Sequence, residues 1–111
     1  MKEYMILFKG RGQLEYSREE LQKRVEAFRE WVDGTLGERY VTSNRLEREG
    51  AFIDRDRQIL TDGPFLETKE LIAGYVLILA EDFGEASELA RTCPLLDFFD
   101  ILLRPVVSNA A

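Results

Sequence analysis

The stretch with the most chemistry to offer is Asp62-Gly63-Pro64-Phe65-Leu66-Glu67-Thr68-Lys69-Glu70. Gly63 can take backbone angles closed to other residues, and Pro64 both fixes its own φ and pushes Gly63 out of the helical region. Asp62 to Phe65 therefore hold one bend, which presents a carboxylate and an aromatic ring beside the strand that follows. Such a carboxylate has two uses. It can act as a general base or polar anchor for a ligand, or it can accept backbone N–H groups as an Asx-turn and merely hold the bend. Phe65 anchors the turn by packing or walls a cleft. Lys69 is the first cation after Asp62; lying between Glu67 and Glu70, it also reads as a solvated ion pair of ~0–1 kcal/mol.

Leu71-Ile72-Ala73-Gly74-Tyr75-Val76-Leu77-Ile78-Leu79-Ala80 follows directly and is the most apolar run in the chain. It is too short to span a membrane and rich enough in branched residues for a central strand. Gly74 in mid-strand implies close approach by another backbone or a ligand. Tyr75 reads equally as core or as pocket lining, with a hydroxyl that needs a partner. Near the end of the chain, Asp100, Leu102 and Arg104 alternate onto one strand face. If that face is buried between subunits, Arg104 is a cation that needs an acid, and Asp100 and Asp62 are the choices. Cys93 precedes Pro94 at a helix end, where the dipole does not favour a thiolate, so it reads as structural.

Composition excludes more than it assigns. The 111 residues hold one cysteine and no histidine. Ser-His and Cys-His dyads and histidine-ligated metals are thereby ruled out, and no metal or other cofactor is expected. Any acid–base chemistry near neutrality falls to a shifted Asp, Glu, Lys, Tyr or Cys. A lone cysteine suits a reducing compartment, and Met1-Lys2-Glu3 does not open a signal peptide, so a cytoplasmic protein is expected. A net charge of −6 repels phosphate backbones and disfavours nucleic-acid partners. No apolar run has membrane-spanning length.

The elements that must position these residues follow from periodicity. Lys2 to Lys9 is a strand apolar on both faces, with Tyr4, Ile6 and Phe8 on one and Met5 and Leu7 on the other. Ser17-Arg18-Glu19-Glu20 is a capping box that opens an amphipathic helix. Its buried stripe is expected at Leu21, Val25, Phe28 and Val32, with Trp31 at the edge, Glu20 and Arg24 on the outer face, and Gly34 or Gly37 at the end. Glu38 to Leu46 is a weaker strand. Ala51-Phe52-Ile53 and Gln58-Ile59-Leu60-Thr61 form a hairpin around the solvated tip Asp54 to Arg57. Asp82-Phe83-Gly84-Glu85 caps a second helix that ends at Cys93-Pro94, and Phe98 to Val107 is the last strand.

The order is β-α-β-(hairpin)-β-α-β, a single α+β domain over 1–107 with a frayed tail at 108–111. It predicts a ferredoxin-like βαββαβ sandwich with an extra hairpin and both helices on one face of an antiparallel sheet. The central strands are apolar on both faces, so the uncovered face calls for a second copy of the chain and a homodimer.

Asp62-Gly63-Pro64-Phe65, Glu67-Thr68-Lys69-Glu70 and Gly74-Tyr75 resemble the DGPF branch of the YCII-related family. Met1-Lys2-Glu3-Tyr4, Cys93-Pro94 and Leu103-Arg104-Pro105-Val106 extend the resemblance over essentially the whole chain. It implies a ferredoxin-like fold that dimerises through the sheet face as an α/β barrel. Beside the resemblance, the residues themselves suggest a small organic ligand in a cleft near Asp62, with Phe65, Lys69, Gly74, Tyr75 and Arg104 as the candidate binding residues. A few relatives look like lyases or dehalogenases of small ring compounds with a His-Asp centre; the Asp maps to Asp62, and the His has no counterpart. Ala73 stands where the branch often has a second Gly, and Leu102 where it often has Glu. Relatives encoded beside alternative sigma factors imply the alternative, a non-catalytic regulatory or interaction module.

Overall fold

The computed structural model describes residues 1–10, 16–47, 49–61 and 72–108. Strand β1 (Lys2–Gly10) is followed by helix α1 (Arg18–Glu30), a π-helical segment (Trp31–Leu36) and a 3-10 turn (Gly37–Arg39). Then come β2 (Tyr40–Arg45), the two-residue arms β3 (Phe52–Ile53) and β4 (Ile59–Leu60), and β5 (Ile72–Ala80). Helix α2 (Phe83–Arg91), a 3-10 turn (Pro94–Asp97) and β6 (Phe99–Pro105) complete the order. The main sheet runs β2-β5-β1-β6 with every neighbouring pair antiparallel, and β3 and β4 pair by themselves. This is the ferredoxin-like α+β arrangement with an added hairpin. Among the described residues no helix is long and apolar enough to cross a membrane.

The period-two pattern of the central strands resolves as one sealed face and one bare face, which no described element covers. Tyr4, Ile6 and Phe8 of β1 and Val76, Ile78 and Ala80 of β5 are buried against Trp31, Leu36, Ala86 and Ala90 from the helical layer. Fully burying a side chain such as Ile6 or Ile78 contributes about 1.5–3 kcal/mol. The alternating residues Met5, Leu7, Tyr75 and Leu77 are only half-buried although strands flank them on both sides, and Leu79, paired with β1, is half-buried too.

The first helix begins as its sequence dictates. Ser17 Oγ accepts from Glu20 N at 3.1 Å, and Glu20 Oε1 accepts from Ser17 N at 3.3 Å. Its buried stripe, however, is not the expected one. Leu21 and Val25 are 38% and 43% exposed, while Arg24, Ala27 and Phe28 turn inward and Trp31 is buried. The helix is rotated because Trp31, the largest apolar side chain, takes the core position and donates from Nε1 to Thr92 Oγ1 at 2.8 Å. Around a regular α-helix, residues five apart differ by about 140°. The widened π turn lets Trp31 and Leu36 reach the same core. Gly37, at φ +53°, ends the segment in a conformation that favours glycine.

Asp82 caps α2 by accepting from Glu85 N at 2.8 Å. The Glu85 carboxylate accepts from Glu81 N at 3.0 Å and from Arg39; the backbone bond first, and then the Arg39 guanidinium, hold its pKa below the usual carboxylate range. The hairpin tip is solvated as expected. Asp54 Oδ1 accepts from the N–H groups of Asp56 and Gln58 at 2.9 Å each, and Arg57 takes φ +68°.

Candidate functional site

The bare face of the sheet brings together side chains that are distant in sequence. Residues directly opposite each other in an antiparallel pair share a face, so the register sets the layout. Leu102, Leu7, Tyr75 and Asn44 form one row across β6, β1, β5 and β2. Arg104, Met5, Leu77 and Thr42 form the next. Tyr75 therefore points away from the helices. Its hydroxyl accepts from Asn44 Nδ2 at 3.1 Å, which ties the ring to the neighbouring strand.

Gly74 is buried and serves the backbone. A Cβ there would lie 2.8 Å from the Asn44 carbonyl oxygen and 3.4 Å from Arg45 Cα. The close approach inferred from its mid-strand position is thus that of β2, and it brings Asn44 up to Tyr75. Arg104 is exposed on β6 beside the exposed Leu102. Asp100 lies on the same face but four residues away, ~14 Å along the strand at ~3.4 Å per residue. It stands opposite Lys9 rather than next to Arg104. Asp62, Phe65 and Lys69 lie outside the described residues.

Cys93 is 3% exposed, and burial pushes its thiol up to about 11, which fits the structural reading. Among the described residues no group of three His, Cys, Asp or Glu side chains is placed to hold a metal ion. Arg24 is the residue that sequence reasoning misplaced. Its spacing to Glu20 places it on the outer face, but its guanidinium lies over the rings of Tyr16, Phe98 and Phe99 at 5.1–5.5 Å. The signal was present: Arg24, Phe28 and Trp31 share i, i+4, i+7 spacing and so one helix face.

The architecture defines a ferredoxin-like α+β protein whose second sheet face is left uncovered by the described residues. Residues 3–98 match the model of the YCII-related domain, and the chain belongs to the YCII-related family. Among solved structures it is similar to the 5-chloro-2-hydroxyhydroquinone dehydrochlorinase of Burkholderia phenoliruptrix in complex with 2,5-dihydroxybenzoquinone. The TM-score is 0.54 at 15% identity, covering 96% of this chain and 95% of the other, a likeness of fold. No curated protein matches it.

Proposed function

We propose that this protein binds a small cyclic organic molecule in a cleft between two copies of the chain, floored by the bare face of the sheet. The observation that carries this reading is the row Leu102-Leu7-Tyr75-Asn44 beside Arg104. It combines apolar positions with one hydrogen-bonded phenol and an exposed cation. Apolar side chains take up a ring, and a few fixed polar groups orient its oxygen substituents. A second sheet laid ~10 Å away covers the face and turns it into a cleft. In this reading Asp62, just upstream of the strand that carries Tyr75, is the polar anchor and the base for any acid–base step. Phe65 walls the cleft and Lys69 balances the Asp62 charge. The ring bound by the structural neighbour supplies the first probe.

Calorimetric titration with 2,5-dihydroxybenzoquinone should give one saturable site per protomer. Tyr75→Phe and Arg104→Gln should each weaken it by about tenfold, equivalent to 1.4 kcal/mol. Asp62→Asn should abolish turnover of a chlorinated hydroquinone. Heat without saturation, or binding indifferent to both Tyr75 and Arg104, sinks the reading. A second reading, a non-catalytic interaction module, draws on the hairpin arms, where Ile53 and Ile59 are 62% and 64% exposed. A dimer that binds no ring compound but captures a protein through those arms would favour it.

A further inference from the structure

Arg24 is placed unlike the other charges of α1. Its Cζ lies 5.5 Å from the Tyr16 ring centroid, 5.1 Å from Phe98 and 5.4 Å from Phe99. Tyr16 and Phe98 meet edge to face at 5.1 Å, so the rings brace one another as well as the cation. Among the described residues no carboxylate or carbonyl accepts a hydrogen bond from Arg24, and a second cation, Arg45, is near enough to repel it. Burial and Arg45 both act to lower its pKa, yet a guanidinium stays protonated at any ordinary pH. Aromatic rings satisfy the faces of this group. Its N–H donors form a planar fork suited to two oxygens at once, and rings do not satisfy those.

A cleft of about 230 Å³ opens beside it, between α1 and the 3-10 turn at Pro94–Asp97. Lys23 and Arg24 line one side, Pro94, Leu95 and Phe98 the other, with Ala27 between them. Two acids also border it. Glu20 is held by the helix cap through its bond to Ser17 N, and Asp97 is exposed. The cleft lies in the helical layer, on the opposite side of the sheet from Tyr75 and Arg104.

We propose that this cleft is a second binding site, which takes a small carboxylate with an apolar body. The carboxylate accepts from the Arg24 fork, Lys23 adds charge at the mouth, and Leu95, Pro94 and Phe98 cover the body. The walls select this class over inorganic phosphate, which would leave the apolar surface wet and would meet Glu20 and Asp97 with a higher charge. The volume suits a ligand the size of a substituted benzoate.

Titration of the isotope-labelled full chain with benzoate, followed by amide chemical shifts, tests the assignment. Saturable shifts at residues 23–27 and 95–98 are expected, and benzyl alcohol, of similar shape but uncharged, should produce none. Arg24→Met should weaken benzoate by about tenfold or more, and Arg24→Lys, which keeps the charge without the fork, by about threefold or more. Asp97→Asn should strengthen it. Leu95→Trp, which fills the cleft and leaves Arg24 in place, should block it even if Arg24→Met fails to fold. Arg104→Gln should leave benzoate unaffected, which separates this site from the one on the bare sheet face. Absence of saturable shifts, equal shifts with benzyl alcohol, or benzoate binding that survives Leu95→Trp would overturn the proposal.

Discussion

Cys93 shows how a single residue's chemistry is set by where the chain ends a helix. Its amide donates to the Ala90 carbonyl at 3.1 Å, and its thiol is sealed among the core residues. Burial disfavours the thiolate and raises the pKa to about 11, against an ordinary thiol near ~8.5. The unfolded chain therefore releases this proton first. Between roughly pH 8.5 and 11 the native state holds more protons than the unfolded state, so stability falls as pH rises through that window. The thiol should be silent toward a disulfide reagent at pH 8 in the native protein and react fully in denaturant. In urea unfolding, Cys93→Ala should lose less stability than the wild type between pH 8 and 11; identical slopes would show that the thiol does not carry the effect.

At the scale of elements, local rules set where helices start, and packing sets how they turn. The capping box at Ser17 and Glu20 is legible in four residues because both of its hydrogen bonds close within one turn. Ser17 is exposed, so its replacement disturbs the cap alone. Ser17→Ala should cost about 1 kcal/mol in urea unfolding with an unchanged denaturant slope. A loss near zero would mean that tertiary packing alone defines the start of α1. The rotation of that helix was not legible, because Leu21-Val25-Phe28-Val32 and Arg24-Phe28-Trp31 are both stripes at helical spacing. Only the bulk of Trp31, its bond to Thr92, and the ring cluster that receives Arg24 choose between them.

The molecule is only 18 Å thick in its thinnest dimension, and its core is one helical layer on the four-stranded sheet. That arrangement leaves Met5, Leu7, Leu77 and Leu79 half-covered and Leu102 45% exposed. Water contact with so much apolar surface is what a second copy would remove. Light scattering should accordingly return about twice the 12.9 kDa chain mass. Leu102→Asp, at a position already exposed in the protomer, should halve that mass without lowering helical content. A Leu102→Asp protein that stays dimeric would place the subunit contact elsewhere, and with it the proposed cleft.

Local pattern is enough to give the order of strands and α-helices, the capping of both helices, the hairpin and its tip, and the two-faced apolarity of the central strands, but not the π-helical segment or the 3-10 turns. Each of the former is written in neighbours a few residues apart or in a simple period. It also marks Gly74 as a point of close approach and places Asp100, Leu102 and Arg104 on one face. Long-range contacts are what make β2 the strand that approaches Gly74, turn Tyr75 away from the helices onto Asn44, and set Asp100 opposite Lys9. They also cover Arg24 with aromatic rings from other parts of the chain. Strand register and helix rotation depend on contacts between residues tens of positions apart, and no local pattern encodes them.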